Sequence, residues 1–168
     1  METALVNKIA NSGLIVIDLE EFFPTEQVAV FDLKDYLKMG LVLIEKEFRE
    51  AVKQHDWHQY QSKVLLVYCS SDAIIPVWAY MLVATAAQPF ASKVFLGTQE
   101  EFYKTYFYDV LQHLDVTPYQ GQRLIIKGCS KQPVPASAYL EITNKLLPVA
   151  QSIMYGEPCS TVPVFKKK

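Results

Sequence analysis

The sequence predicts a three-layer α/β fold with a mainly parallel sheet, helices on both faces and a mixed N-terminal extension. Strand and helix patterns alternate from residue 61 to residue 168, one strand pattern is an unbroken apolar run, and 51% of the 168 residues are hydrophobic. Alternating strands and helices form parallel sheets, and a chain of this length suits one domain. We therefore expect a single α/β domain over residues 1–168, with a mixed lead-in over residues 1–60 and strand–helix alternation over residues 61–168.

The lead-in contains short elements of both kinds. Residues 3–10 predict a short helix that ends at Gly13, and the β-branched run Leu14–Leu19 predicts a strand. Val28–Phe31 predicts a second strand, of the edge type. Ile44–Gln54 predicts a helix, because its apolar residues share one face and its charged residues share the other.

The alternating part begins with Val64–Tyr68, an unbroken apolar run that is typical of a strand covered on both faces. A helix follows and begins within a turn of Pro76, since proline suits the first turn of a helix. Val94–Leu96 predicts the next strand. Thr98 with Glu101 three residues later has the pattern of a capping box, which predicts the start of another helix.

That helix is expected to run to about Leu114. Arg123–Lys127 predicts the third strand of this part, and Pro135 opens a third helix that continues to about Ala150. Ser152–Tyr155 predicts a final strand. We expect no internal repeat in the chain.

Three cysteines follow predicted strands or lie in a tail close to one. Cys69, Cys129 and Cys159 are each followed by serine in a turn-like context. If the Val64 and Arg123 strands are neighbours, Cys69 and Cys129 leave the sheet at the same edge, about 5 Å apart. A fourth strand beside the third would bring Cys159 to that edge as well, where open α/β sheets place their ligands.

Three thiolates suit a zinc ion or an iron–sulfur species. The leading hypothesis is therefore a metal-binding accessory protein in which Cys69, Cys129 and Cys159 are ligands. Asp72 is the first choice for the fourth ligand because it follows Cys69 by three residues. His55 and His58 are alternatives that need the preceding loop to fold over the strand ends.

Other interpretations remain open. Cys69 precedes a predicted helix N-terminus, which would favour its thiolate and suit an enzyme or a sulfur carrier. Free cysteine is also a common small residue of protein cores. A third hypothesis is a non-catalytic interaction module that forms a homodimer through an aromatic-rich helix. Its apolar positions are Phe102, Tyr103, Tyr106, Phe107, Val110, Leu111 and Leu114.

Composition argues against several classes of protein. The net charge of −2 and the isoelectric point near 5.9 give no electrostatic case for nucleic acid. No apolar stretch reaches the roughly 20 residues that span a bilayer, so we expect no membrane segment. An odd number of cysteines without a secretory signal favours the cytoplasm. The glycine-dependent motifs GxGxxG, P-loop and G-x-S-x-G are missing from the sequence.

Several segments resemble a bacterial family known as domain of unknown function 2480. They are Asp56–Gln61, Cys69–Leu82, Ile126–Cys129 and Ser152–Pro163, and the likeness covers essentially the whole chain. The resemblance implies a soluble bacterial protein. Its association with iron–sulfur assembly gene neighbourhoods implies iron–sulfur assembly proteins as possible partners. It implies no catalytic residue.

Overall fold

The structure is a computed structural model that describes residues 13–128 and 131–168. The helix expected over residues 3–10 lies outside the described residues. Four α-helices occur in the described part of the chain. They are α1 (Glu45–Gln54), α2 (Val77–Ala87), α3 (Gln99–Gln112) and α4 (Ala136–Leu146).

Nine strands form three sheets in the same part of the chain. They are β1 (Leu14–Asp18), β2 (Val28–Asp32), β3 (Leu37–Lys38), β4 (Val42–Leu43), β5 (Val64–Tyr68), β6 (Lys93–Leu96), β7 (Arg123–Lys127), β8 (Ser152–Glu157) and β9 (Ser160–Lys166). One sheet has the order β1-β7-β8-β9, a second has the order β2-β5-β6, and β3 and β4 form a hairpin. All pairs in the two larger sheets are parallel except β8 with β9. Helices pack on these sheets, which confirms the α/β prediction.

The strand order differs from the layout that placed the Val64 and Arg123 strands side by side. The Val64 strand, β5, lies between β2 and β6, whereas the Arg123 strand, β7, lies between β1 and β8. The chain divides into two compact units. We call residues 25–102 the inserted unit and residues 13–24 with 103–168 the split unit. The boundary falls within α3, most of which belongs to the split unit. The prediction of one domain stays a prediction.

The two units share one architecture. Each contains a leading strand, a 3-10 turn, a helix, a middle strand, a second helix and a third strand, and the leading strand pairs with the middle strand, which pairs with the third. From the first helix of each unit onward, equivalent residues are 59 positions apart, as in Val64 and Arg123 or Lys93 and Ser152. The expectation that the chain has no internal repeat is therefore wrong.

Equivalent helices of the two units bury equivalent positions. The buried positions of α2 are Ala79, Val83 and Ala87, and those of α4 are Ala138, Ile142 and Leu146. Several residues are identical in the two units at this spacing. They include the pairs Phe48 and Phe107, Tyr60 and Tyr119, Leu65 and Leu124, Pro76 and Pro135, Tyr80 and Tyr139, Pro89 and Pro148, and Gly97 and Gly156.

Local signals explain where the helices begin. Pro76 and Pro135 are the residues immediately before α2 and α4, and the carbonyl of each accepts a hydrogen bond of 2.9 Å from the backbone N–H three residues later. The Thr98 backbone N–H donates to Glu101 Oε2 over 2.7 Å, and the Glu101 N–H donates to Thr98 Oγ1 over 3.4 Å. The predicted capping box is thereby confirmed.

Candidate functional site

Cys69 follows β5 in the inserted unit and packs, half-buried, against the core of that unit. Its Sγ lies 3.2 Å from the Ser71 hydroxyl. The helix α2 begins at Val77, within a turn of Pro76 as predicted, but this is eight residues after Cys69, so the thiol does not border a helix N-terminus as the thiol-chemistry hypothesis required. Asp72, the predicted fourth metal ligand, is exposed. The surroundings of Cys69 are those of a small packed residue beside a hydroxyl group.

Cys159 is associated with a different sheet from Cys69. It is exposed in the turn between β8 and β9, two strands of the sheet β1-β7-β8-β9, whereas Cys69 follows β5 of the sheet β2-β5-β6. Cys129 lies outside the described residues. Among residues 13–128 and 131–168, no group of three or more histidine, cysteine, aspartate or glutamate side chains could hold a metal ion. The prediction of a zinc or iron–sulfur site built from converging cysteines is wrong, because it required β5 and β7 to be neighbours in one sheet.

His55 is part of a hydrogen-bonded aromatic cluster in the inserted unit. Its Nδ1 lies 3.1 Å from the Tyr36 hydroxyl, and its Nε2 lies 3.0 Å from the Tyr60 hydroxyl. A neutral imidazole has one donor and one acceptor, so it can serve both hydroxyl groups. Burial lowers the pKa of His55 and raises the pKa of Tyr60 to about 12. The alternative role of His55 as a metal ligand is therefore replaced by a structural one.

The carboxyl ends of three strands of the split unit carry a charged cluster. Lys127 Nζ lies 3.3 Å from Asp18 Oδ2 and 3.6 Å from Glu157 Oε1. The hydrogen bond that Lys127 donates to Asp18, together with the charges of both carboxylates, raises the pKa of Lys127. The opposite charges largely compensate one another, and partly exposed ion pairs of this kind contribute little to stability. The ion pairs connect the last residue of β7 with the last residues of β1 and β8.

A cleft of about 420 Å³ opens in the split unit between α4 and strands β7, β8 and β9. None of its lining residues carries a charge. They are Ile126, Val134, Ala136, Tyr139, Thr143, Ile153, Met154, Tyr155 and Val164. Ile126 and Ile153 belong to the buried core of the unit, so the floor of the cleft is a continuation of that core.

Two tyrosine rings in contact with each other line the cleft. The rings of Tyr139 on α4 and Tyr155 on β8 meet edge to face, with centroids 5.7 Å apart and an angle of 77° between their planes. Val164 on β9 also lines the cleft and is 54% exposed, so the cleft is open to solvent beside this residue. Pocket-like apolar surfaces with a few polar groups are the usual form of small-molecule sites.

Comparison with known proteins assigns the chain to a family whose function is unknown. A family model described as "Protein of unknown function (DUF2480)" matches residues 3–167. The chain belongs to this family. No curated protein matches the chain, and no solved structure matches it. None of the helices that the structure describes is both long enough and apolar enough to cross a bilayer.

In this DUF2480 chain, the residues that form the cleft were not singled out by sequence analysis. Tyr139, Tyr155 and Val164 lie on three different elements, and no short motif connects them. One available signal was the repeat: Tyr139 has the counterpart Tyr80, whereas β9 follows β8 and has no counterpart after β6. The added strand β9 contributes Val164 to the lining of this cleft.

Proposed function

We propose that the protein binds a neutral, mainly apolar small molecule in the cleft between α4 and β8. The observation that carries this proposal is a cleft of about 420 Å³ whose lining has no charged side chain. Its volume falls within the range of about 300–1,000 Å³ that is usual for small-molecule sites. A charged ligand would lose its hydration there without meeting an opposite charge.

The tyrosine pair favours a planar ligand. Tyr139 and Tyr155 present two perpendicular ring surfaces, and aromatic groups prefer edge-to-face or offset contacts with such rings. The Thr143 hydroxyl already donates a hydrogen bond of 2.7 Å to the Tyr139 carbonyl within α4. Apolar and ring contacts, rather than hydrogen bonds to Thr143, would therefore supply most of the affinity.

A neutral planar probe tests the proposal directly. We expect N-phenyl-1-naphthylamine to bind the wild-type chain with one-to-one stoichiometry and an increase in its fluorescence. Val164→Glu places a carboxylate on the wall of the cleft and should weaken this binding by about tenfold, because a charge beside an apolar ligand is desolvated. Both Val164 and the proposed control Val162 are more than half exposed, so neither substitution disturbs the core.

The control variant Val162→Glu introduces the same charge on the same strand, outside the lining of the cleft. It should bind the probe as the wild type does. Ala136→Trp, which fills the cleft from α4, should abolish binding while the far-ultraviolet circular dichroism stays unchanged. The proposal fails if the wild type does not bind the probe, or if both glutamate variants lose affinity equally.

A further inference from the structure

The third strand of the inserted unit has an open edge. β6 pairs with β5 on one side, and no strand of the described chain pairs with its other side. The equivalent strand of the split unit, β8, pairs there with β9 in antiparallel orientation. Unpaired strand edges present backbone donors and acceptors that readily pair with another chain. The pairing of β9 with β8 in the split unit is therefore a model for how an added strand could cover the edge of β6 in the inserted unit.

An apolar surface of α2 flanks this edge. Leu96 on β6 is 61% exposed, and Val77 and Met81 on α2 are 73% and 66% exposed. In the split unit, the counterparts of Val77 and Leu96 line the same cleft, so these two positions flank one groove between helix and strand. We call Leu96, Val77, Tyr80, Met81 and Ala84, together with the open edge of β6, the β6–α2 face.

The two units differ in charge at this helix. α4 carries Glu141 and Lys145, whereas the equivalent positions of α2 are Leu82 and Ala86, and no residue of α2 is charged. A helix that is apolar on all sides is normally buried on all sides. Leu82 and Ala86 pack, partly buried, against the core of their own unit, so the strongly exposed apolar side chains of α2 are Val77 and Met81.

We propose that a second copy of this chain covers the β6–α2 face. The two copies would pair their β6 strands in antiparallel orientation about a two-fold axis, so that two three-stranded sheets become one six-stranded sheet. The two α2 helices would then lie side by side on the same face of that sheet. An interface of this kind is self-complementary, as a two-fold dimer requires.

Charge favours a second copy over a charged partner. Lys93 is the single charged residue of β6, and antiparallel pairing centred on Phe95 places it opposite Gly97 of the second copy. The two lysines then lie at opposite ends of the paired strands, so like charges do not face each other. An acidic or a strongly basic partner would find few opposite charges on α2 and β6.

The size of the face is consistent with a dimer. The exposed parts of Val77, Met81 and Leu96 amount to on the order of 400 Å². The strand edge and the partly exposed Tyr80 and Ala84 add to this area, which stays below the roughly 800 Å² per partner of a standard interface, so a dimer that depends on protein concentration is expected. The aromatic helix α3, where an interface was expected from the sequence, offers less: its Phe107 and Leu111 are fully buried.

The oligomeric state of the full chain tests this proposal. Sedimentation velocity over a range of protein concentrations should show a dimer for the wild type. The double variant Met81→Lys/Leu96→Lys should be monomeric at every concentration, because four lysines would meet in the interface of two copies. Both residues are more than 60% exposed, so the variant should fold normally.

Leu140→Lys is the matched control. Leu140 is the counterpart of Met81 on α4 and is 62% exposed, so the same charge is introduced at the same helix position of the other unit. This control should remain dimeric. A monomeric wild type, or a dimer that survives the double substitution, overturns the proposal. Probe binding by the cleft is measured separately, since the cleft and the β6–α2 face belong to different units.

Hydrogen exchange locates the interface. In the wild type, the outward-facing amides of β6 should exchange more slowly at high protein concentration than at low concentration, and in Met81→Lys/Leu96→Lys they should exchange at the fast rate throughout. A dimer that leaves the exchange of the β6 amides unchanged would contradict strand pairing at this edge.

Discussion

The Nε2 atom of His55 lies 3.0 Å from the hydroxyl oxygen of Tyr60. The imidazole is held between this hydroxyl and that of Tyr36, and it stacks on the Tyr60 ring at an angle of 14°. The equivalent of His55 in the split unit is Leu114. One unit thus has a hydrogen-bonded aromatic cluster where the other has an aliphatic residue, and from this difference we expect the stability of the inserted unit to depend on pH.

Acidification should destabilise the protein through His55. Burial lowers its native pKa below the ordinary value of 6.5, although the nearby Asp56 charge opposes the shift. Below about pH 6.5 the unfolded chain therefore binds more protons than the native chain, and the free energy of unfolding falls as the pH falls. Urea unfolding at about pH 7.5 and about pH 5.5 measures this change on either side of the ordinary histidine pKa.

The variant His55→Leu copies the residue of the split unit. It should flatten the pH dependence, and it should lose about 1–3 kcal/mol at neutral pH because two hydroxyl groups lose their partner. His113→Gln, at an exposed position after α3, serves as the control and should keep the wild-type pH dependence. An unchanged slope in His55→Leu would show that another group is responsible.

Alkaline conditions should destabilise the protein through Tyr60. Burial is the main cause that raises its native pKa from 10.0 to about 12, so the unfolded chain loses this proton first. The stabilisation is complete below about pH 10 and is lost as the pH rises towards 12. Tyr60→Phe should show a shallower loss of stability over this range in urea unfolding. Tyr108→Phe, with a ring that is 51% exposed, should behave as the wild type does.

The equivalent phenylalanines of the repeat should be equally important to their units. Phe48 is 1% exposed and Phe107 is fully buried. Phe48→Ala and Phe107→Ala should each reduce the free energy of unfolding by about 3–5 kcal/mol, because each leaves a cavity in a close-packed core. Guanidinium unfolding measures the loss. Tyr108→Ala, next to Phe107 on α3, should lose less than about 1 kcal/mol, and a comparable loss there would contradict the cavity explanation.

Gly156 should be irreplaceable at the end of β8. Its φ is +118°, and a Cβ at this position would lie 2.5 Å from the Ser160 carbonyl oxygen. Gly156→Ala should destabilise the protein by about 2–4 kcal/mol and weaken probe binding in the cleft, since β9 would have to move away from β8. Gly40→Ala also has a positive φ, of +70°, but no atom lies within 4 Å of its Cβ, so thermal unfolding should show a smaller loss.

Local signals in the sequence predicted the elements well. Val64–Tyr68 and Arg123–Lys127 are strands with the predicted bounds, and Thr98 caps α3 as its spacing to Glu101 indicated. These signals are local because they depend on side-chain burial and on hydrogen bonds within one turn. They contain no information on which strands become neighbours.

The hypothesis of a cysteine metal site was wrong because it depended on which strands are neighbours. It assumed that β5 and β7 adjoin, whereas β5 pairs with β2 and β6. The repeat was missed for a related reason: its leading strands, which begin at Leu14 and Val28, are 14 positions apart, whereas the later elements are 59 positions apart. The cleft could not be predicted either, because Tyr139, Tyr155 and Val164 come together only through the order β7-β8-β9.

The pairing of β1 with β7 has a consequence for how the chain is made. Leu14 leaves the ribosome early, but its partner Arg123 is synthesised only after the whole inserted unit. The inserted unit is contiguous, so its sheet can form during synthesis, whereas the split unit must close a long loop, which is entropically costly and slow. Pulse-labelling of nascent chains should therefore detect amide protection in β5 before β7. Until translation passes Arg123, β1 is a strand without its neighbour, and chaperones would encounter it in that state.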